Sequence, residues 1–314
     1  MMLRQRTVRE KVSCSGMAVH SGQVVTIEVL PAPEDTGITF IRTDIANAPE
    51  IRAHVDNVVD TTLATKLAVI KDGTRFEVST VEHLMAAFTG LCIDNARVLI
   101  SGPELPILDG SSAPFVAMLQ SVGIEEQRKP RRYLVIKKEI RITEGNKEAK
   151  IIPSSGFKIK CAVDFDHALI PPTPFNFEFS ERSFVRDISR ARTFGFLRDV
   201  EALRLRGLAR GASLDNAVVI DEYRVLNPDG LRYPDEFVRH KVLDCIGDLS
   251  LFGMPVLGRL STKRPGHALN TQLVRKVLAD PKAFEIVAPL TAAAFAESPA
   301  IEGAFDLEPI ETTA

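Results

Sequence analysis

The sequence predicts an α+β protein of two domains, on three observations. Its 314 residues are about twice the usual domain length. Each half reads as strands together with two main helices, the pattern of a sheet covered on one side by helices. Between the halves, Glu125-Glu126-Gln127-Arg128-Lys129-Pro130-Arg131-Arg132 is charged, carries a proline and has no apolar period, as an interdomain linker does. The expected domains are residues 1–127 and 128–314.

In the first half, residues 24–30 and 37–41 have β-rich composition and are bounded by Pro and Gly, so each reads as a strand. Residues 61–70 read as a further strand region, closed by the Lys71-Asp72-Gly73 turn. Residues 81–89 read as a helix. Leu84, Ala87, Phe88 and Leu91 follow the spacing of one apolar helical face, and Gly90 can stop it. Ser79 and Glu82 have the spacing of a capping box, with Ser79 as N-cap. Residues 96–100 form a short strand. Ser112 can cap a second helix running to about Val122, with Pro114 tolerated in its first turn.

In the second half, residues 133–139, 139–143 and 157–165 are strand-like. Residues 237–252 read as a helix whose apolar face is Val242, Cys245, Ile246, Leu249 and Phe252. A last helix over 269–278 uses Leu273, Val274, Val277 and Leu278. From Ala283 onward the chain is Ala-rich and then acidic, and its end is expected to fray.

Lys and Arg total 39 against 41 Asp and Glu, a net charge of -2. A near-neutral balance argues against nucleic acid as the main partner, because phosphate backbones select a basic excess. A small anionic substrate needs only a few local cations. Cys14, Cys92, Cys161 and Cys245 are too far apart in sequence to form a CxxC pair, so free thiols in a reducing cytosol are expected rather than a thiolate cluster. The basic start lacks the apolar core of an export signal, and no apolar run reaches a membrane span. A soluble cytoplasmic protein is expected, with transient action at a membrane surface compatible with it.

Of six histidines, three have unusual settings. His240 and Asp244 are spaced i, i+4 on the 237–252 helix, and Asp248 continues that stripe opposite the apolar face. An imidazole and a carboxylate so placed can ligate one metal, although a solvated helical face has the same pattern. Glu82 and His83 open the 81–89 helix. Capping accounts for Glu82, but a charged histidine is disfavoured at a helix N-terminus. A neutral, metal-ligating His83 suits the place, with Glu82 beside it as general base. His267 follows Gly266 on a turn, where a histidine can act as an acid or an electrostatic stabiliser. His54 and His167 have no partners visible in sequence. No Walker loop, Gly-x-Gly-x-x-Gly, Gly-x-Ser-x-Gly or His-Glu-x-x-His occurs.

Five stretches occur in one order: Ser79-Thr80-Val81-Glu82-His83-Leu84, residues 106–115 around Leu108-Asp109-Gly110-Ser111, Ser189-Arg190-Ala191-Arg192-Thr193-Phe194-Gly195, residues 235–244 ending in His240-Lys241-Val242-Leu243-Asp244, and Gly266-His267-Ala268-Leu269-Asn270. Together they resemble the UDP-3-O-acyl-N-acetylglucosamine deacetylase family, zinc amidases that commit lipid A synthesis in Gram-negative bacteria. The resemblance runs from Gly16 to about Leu278. It implies two sheet-and-helix domains, their helical layers face to face with the metal between them.

It also implies roles. His83, His240 and Asp244 would ligate Zn2+ and leave one position open. Glu82 would take the proton of the attacking water. Thr193 and a protonated His267 would stabilise the oxyanion, His267 would protonate the leaving amine, and Asp248 would keep His267 charged and oriented. The products would be acetate and the free glucosamine amine. The substrate is a nucleotide-sugar lipid precursor, for whose diphosphate Lys241, Arg264 and Lys147 are candidate cations. Phe194 would lie near the sugar or uridine. Residues 195–223 resemble the family's βαβ-like insertion that forms an acyl passage, through Leu197, Val200, Leu214, Ala217 and Val219. A monomer is expected. Two departures stand out: Gly16-Met17-Ala18-Val19-His20-Ser21-Gly22 replaces the usual Gly-x-Gly-Leu-His-Ser-Gly, and Arg264-Pro265 replaces Lys-Ser before Gly266. The competing readings are a zinc peptidase or phosphoesterase, and a non-catalytic zinc-containing nucleotide- or lipid-binding protein.

Overall fold

The computed structural model describes residues 3–288 apart from 166 and 173. The first sheet has five strands in the order Val12–Met17, Val24–Pro31, Ala96–Ile100, Ile38–Arg42, Ile51–Arg52. A three-stranded sheet, Val58–Asp60, Lys66–Lys71 and Thr74–Val78, adjoins it. Helices α1 (Glu82–Gly90) and α2 (Ala113–Ser121) follow. In the second, seven-stranded sheet, Val256–Lys263 is central. It pairs antiparallel with Lys147–Ile152 and parallel with both Phe157–Ala162 and Tyr133–Ile136. After the short α3 (Glu181–Ser183) come α4 (Leu197–Leu205), α5 (Glu236–Leu249) and α6 (His267–Leu278). The expected α+β class holds.

One hydrophobic core runs through both sheets, with Leu84 and Phe88 of α1 and Val242, Ile246 and Leu249 of α5 at its centre. Gly247 of α5 lies directly against α1: a Cβ there would fall 2.1 Å from the carbonyl oxygen of Glu82. Only glycine lets the first turn of α1 seat directly on the α5 backbone. That contact brings Glu82 and His83 to the stripe carrying His240, Asp244 and Asp248.

Several expectations change. The charged segment is no loop: Ile124–Pro130 is a strand antiparallel to Arg4–Val8. Its backbone pairs along one edge with that strand while its charges stay outside, and such charge suits a strand at the protein surface. Residues 61–65 form a loop rather than strand, with Leu63 at φ 62°. Ser79 does not cap α1. Its backbone bridges to Glu104, Thr80 turns at φ 60°, and the N-cap position falls on Val81. Ser112 occupies the N-cap of α2, but its hydroxyl donates to the His83 carbonyl at 2.7 Å instead of capping. His267 is the first residue of α6 rather than part of the turn before it, because Gly266 is already the extended N-cap. Phe284–Val287 is a strand paired with Tyr133–Ile136, so the chain from Ala283 does not fray at once. The acidic end, residues 289–314, lies outside the described residues. All four cysteines are free; Cys14 is half-buried and the others buried. Among the described residues, no helix is long and apolar enough to cross a membrane.

Residues 195–223 do take a βαβ form. Phe194–Phe196 and Val218–Ile220 pair in parallel, with α4 between them.

Candidate functional site

His83, from the first turn of α1, meets His240 and Asp244, from successive turns of α5. One donor atom of each lies within 4.8 Å of the others, and all three residues are buried. Asp244 Oδ1 is 3.4 Å from His240 Nε2 and 3.8 Å from His83 Nε2. The imidazole rings are 5.1 Å apart and perpendicular. Burial pushes His83 down to about 4 and His240 down to about 3, so both are neutral near pH 7 and hold a free lone pair. His240 Nδ1 is 3.1 Å from the Ala191 carbonyl, to which it donates. The Nε2 lone pair therefore faces the group, as for a ligand histidine.

Asp244 is ionised. Burial opposes that, but His240, in the acid range where it carries a proton, and Lys241 outweigh it and hold the carboxyl well below its usual range. Lys241 Nζ holds Oδ2 at 2.8 Å. Oδ1 is buried with no hydrogen-bond partner among the described residues. A buried carboxylate oxygen without a donor is costly. Here it faces two imidazole nitrogens at 3.4 and 3.8 Å, an arrangement that a bound cation would satisfy. Two histidines and a carboxylate within this reach could hold a metal ion, and they match in kind the three-ligand set that catalytic metal sites use.

A second constellation adjoins the first. Glu82 Oε2 accepts the Thr65 backbone N–H at 3.0 Å, while Oε1 stands 3.7 Å from His267 Nε2. His267 Nδ1 donates to Asp248 Oδ2 at 2.9 Å. Burial pushes Glu82 up to about 7, helped by Asp248 and Asp244 against His267. Burial would depress His267, but Asp248 and Glu82 overcome it and raise the imidazolium to about 10. Asp248 is itself held by Asn270 Nδ2 at 2.8 Å and Thr65 Oγ1 at 2.6 Å. Near neutrality this places a carboxylate able to take a proton beside an imidazolium able to give one.

The remaining candidates divide. Thr193 precedes the strand Phe194–Phe196; its N–H donates to Gly110 O, and Val218 N–H donates to its carbonyl, both at 2.8 Å. Phe194 adjoins the site, its ring centroid 6.2 Å from that of His240 and 5.4 Å from Lys241 Nζ. Lys241 is thus already engaged with Asp244 and Phe194. Arg264 pairs with Asp164 at 3.0 Å. Lys147 is exposed at the start of its strand, and none of the described hydrogen bonds or ion pairs ties it to the centre. Leu197 and Leu214 are exposed, Val200 and Val219 half-buried and Ala217 buried. The other histidines have local partners: His20 Nδ1 accepts from Ala209 N–H, His54 from Asp56 N–H, and His167 Nε2 lies 2.9 Å from the Asp221 carbonyl.

Four residues beyond the expected set shape the site. Arg192 and Glu236 form a buried pair at 2.9 Å that ties the residue before Thr193 to the first turn of α5. Asn270 and Thr65 hold Asp248. Arg192, Glu236 and Asn270 sit inside the quoted motifs, so the signal was present. Thr65 had none, because residues 61–70 read as strand.

The chain matches the family model described as UDP-3-O-acyl N-acetylglycosamine deacetylase over residues 5–279. It is 55% identical over 283 residues to a UDP-3-O-acyl-N-acetylglucosamine deacetylase of Myxococcus xanthus, covering 90% of this chain and 89% of that protein. A protein of the same name from an Anaeromyxobacter species is 53% identical, covering 90% and 91%. Another from Shewanella pealeana is 52% identical over 288 residues, covering 91% and 93%.

Proposed function

The chain belongs to the UDP-3-O-acyl N-acetylglycosamine deacetylase family, and from that premise we propose the reaction its site performs. It hydrolyses the acetamide of UDP-3-O-acyl-N-acetylglucosamine to acetate and the free amine, the committed step of lipid A biosynthesis. We assign a zinc ion to His83, His240 and Asp244. When bound, the ion supplies Lewis acidity toward the acetyl carbonyl and acidifies water.

The protein's own groups do the rest. Glu82 takes a proton from the attacking water onto Oε1, the oxygen that Thr65 leaves free. Negative charge then develops on the former carbonyl oxygen. The imidazolium of His267 and the hydroxyl of Thr193 stabilise it by charge and hydrogen bonding. Collapse to acetate needs a proton on the departing nitrogen, and His267 gives it. Water thus contributes hydroxyl to the acetyl group and, through Glu82 and His267, hydrogen to the amine. Asp248 keeps His267 charged and fixes its tautomer. The anionic nucleotide is held by cations at the cleft, for which Lys241, Arg264 and Lys147 are candidates. The acyl chain runs along the insertion at Leu197, Val200, Leu214, Ala217 and Val219. The enzyme acts from the cytoplasm on a substrate that itself carries the lipid.

The observation that carries this reading is the 3.7 Å approach of Glu82 to His267 beside the His83–His240–Asp244 group. The test is release of acetate from UDP-3-O-acyl-N-acetylglucosamine. Activity is expected to vanish on chelation and return with about one zinc per chain. Turnover that survives complete metal removal sinks the reading.

A further inference from the structure

We propose that Thr65 is a positioning residue that sets Glu82 and the Asp248–His267 pair relative to one another. The inference rests on the proton-transfer roles given above. Thr65 is fully buried, and each of its polar atoms is engaged. Its N–H donates to Glu82 Oε2 at 3.0 Å, its Oγ1 to Asp248 Oδ1 at 2.6 Å, and its carbonyl accepts the Val81 N–H at 3.3 Å. Asp248 is an acceptor when it serves His267, so the hydroxyl must be the donor.

The loop that carries Thr65, residues 61–65, joins the paired strands Val58–Asp60 and Lys66–Lys71. Within it, Leu63 sits in the left-handed region at φ 62°. The Thr65 carbonyl meets the start of α1, where no side chain caps the helix. The residue therefore replaces a cap and docks the loop on α1. Its hydroxyl reaches across to α5, 183 positions away in sequence. The backbone bond to Glu82 needs no particular side chain. The bond to Asp248 needs a hydroxyl, and it aims that backbone N–H at Oε2 so that Oε1 stays free. Asp248 in turn has its other oxygen occupied by His267 and Asn270, so Thr65 is its donor on the Oδ1 side.

The test compares Thr65→Val, which keeps the shape and removes the hydroxyl, with Thr65→Ser, which keeps the hydroxyl. Zinc content and melting temperature are measured alongside the kinetics. Thr65→Val is expected to lower kcat about ten- to hundredfold, the usual cost of losing an orienting partner, with KM within about threefold and zinc unchanged. Thr65→Ser is expected to retain kcat within about threefold of wild type. A Thr65→Val/Glu82→Gln double variant is expected to lose less than the product of the two single losses, because residues acting as one network are not additive. Should Thr65→Val not fold, Thr65→Ala carries the same comparison. An active wild type whose Val variant keeps its kcat overturns this inference alone. So does a Ser variant as slow as Val, or a double variant in which the two losses multiply. A wild type that releases no acetate overturns the function reading, and this inference with it.

Discussion

Asp248 on α5 is fully buried and Leu205 on α4 is 84% exposed, the reverse of what either side chain prefers. The two stand for two regions. In the layer of α1, α5 and α6, six ionisable or imidazole side chains (Glu82, His83, His240, Asp244, Asp248 and His267) are removed from water. Each of the anions faces an imidazole or lysine, or accepts protein hydrogen bonds. In the insertion, α4 has no buried residue, and Leu197 and Leu214 are also exposed. Burial in the first region shifts proton affinities and strengthens every charge interaction. The second region presents apolar surface with little of the fold resting on it. Under the proposed function, chemistry is placed where burial is deepest, and acyl recognition where side chains can be exchanged at low cost.

The comparison breaks most sharply at Glu82. Glu82→Gln is expected to lower kcat by about 10²–10⁴-fold, the range of a general base, with zinc retained by elemental analysis. Wild-type turnover in that variant removes the base from the mechanism.

Asp248→Asn is the next step down. With its strongest anionic partner gone, His267 loses the support that raises it to about 10. Because the raised value keeps His267 protonated at neutrality, the alkaline limb of wild-type activity should lie near pH 10. In the variant the alkaline limb of kcat/KM should move to lower pH, with a loss of about ten- to hundredfold at neutrality. An unmoved limb separates Asp248 from His267. The same bond adds a stability contribution that is complete below the imidazole's ordinary value and disappears as pH rises through about 10.

The smallest effects belong to the insertion. Leu205→Ser should change stability by less than about 0.5 kcal/mol, as exposed substitutions do. Leu197→Ser should raise KM for the acylated substrate several-fold and leave kcat within about twofold, the signature of lost uniform binding. A large loss of melting temperature in either variant shows that α4 supports the fold after all.

Much of the chemistry was readable along the chain. The i, i+4 spacing of His240 and Asp244, and Asp248 one turn on, places them on one helical stripe whatever surrounds it. The adjacency of Glu82 and His83 is covalent. The quoted motifs identified the family, and the βαβ form of residues 195–223 followed from it. Local patterns failed where a competing tertiary partner took the group. Ser79 has the spacing of a cap, but its backbone is committed to Glu104. Glu82 therefore owes its position to Thr65 rather than to a box. Residues 125–132 look like a linker because charge hides the alternation, yet a second strand distant in sequence pairs with Ile124–Pro130. The diphosphate candidates Lys241 and Arg264 were marked by charge alone, and their carboxylate partners, Asp244 and Asp164, became visible only in the fold.

The sequence by itself determined which chemical groups are present and which of them share a helix face, because helical periodicity and covalent neighbours are local properties. The tertiary structure decided that they form one site. It seats α1 on α5 at Gly247, where any side chain would collide with Glu82, and excludes water from the charges it gathers. It also brings in Thr65 from a loop with no motif of its own. Proton affinities near 7 for Glu82 and near 10 for His267 arise from that burial and those distances, which no stretch of sequence contains.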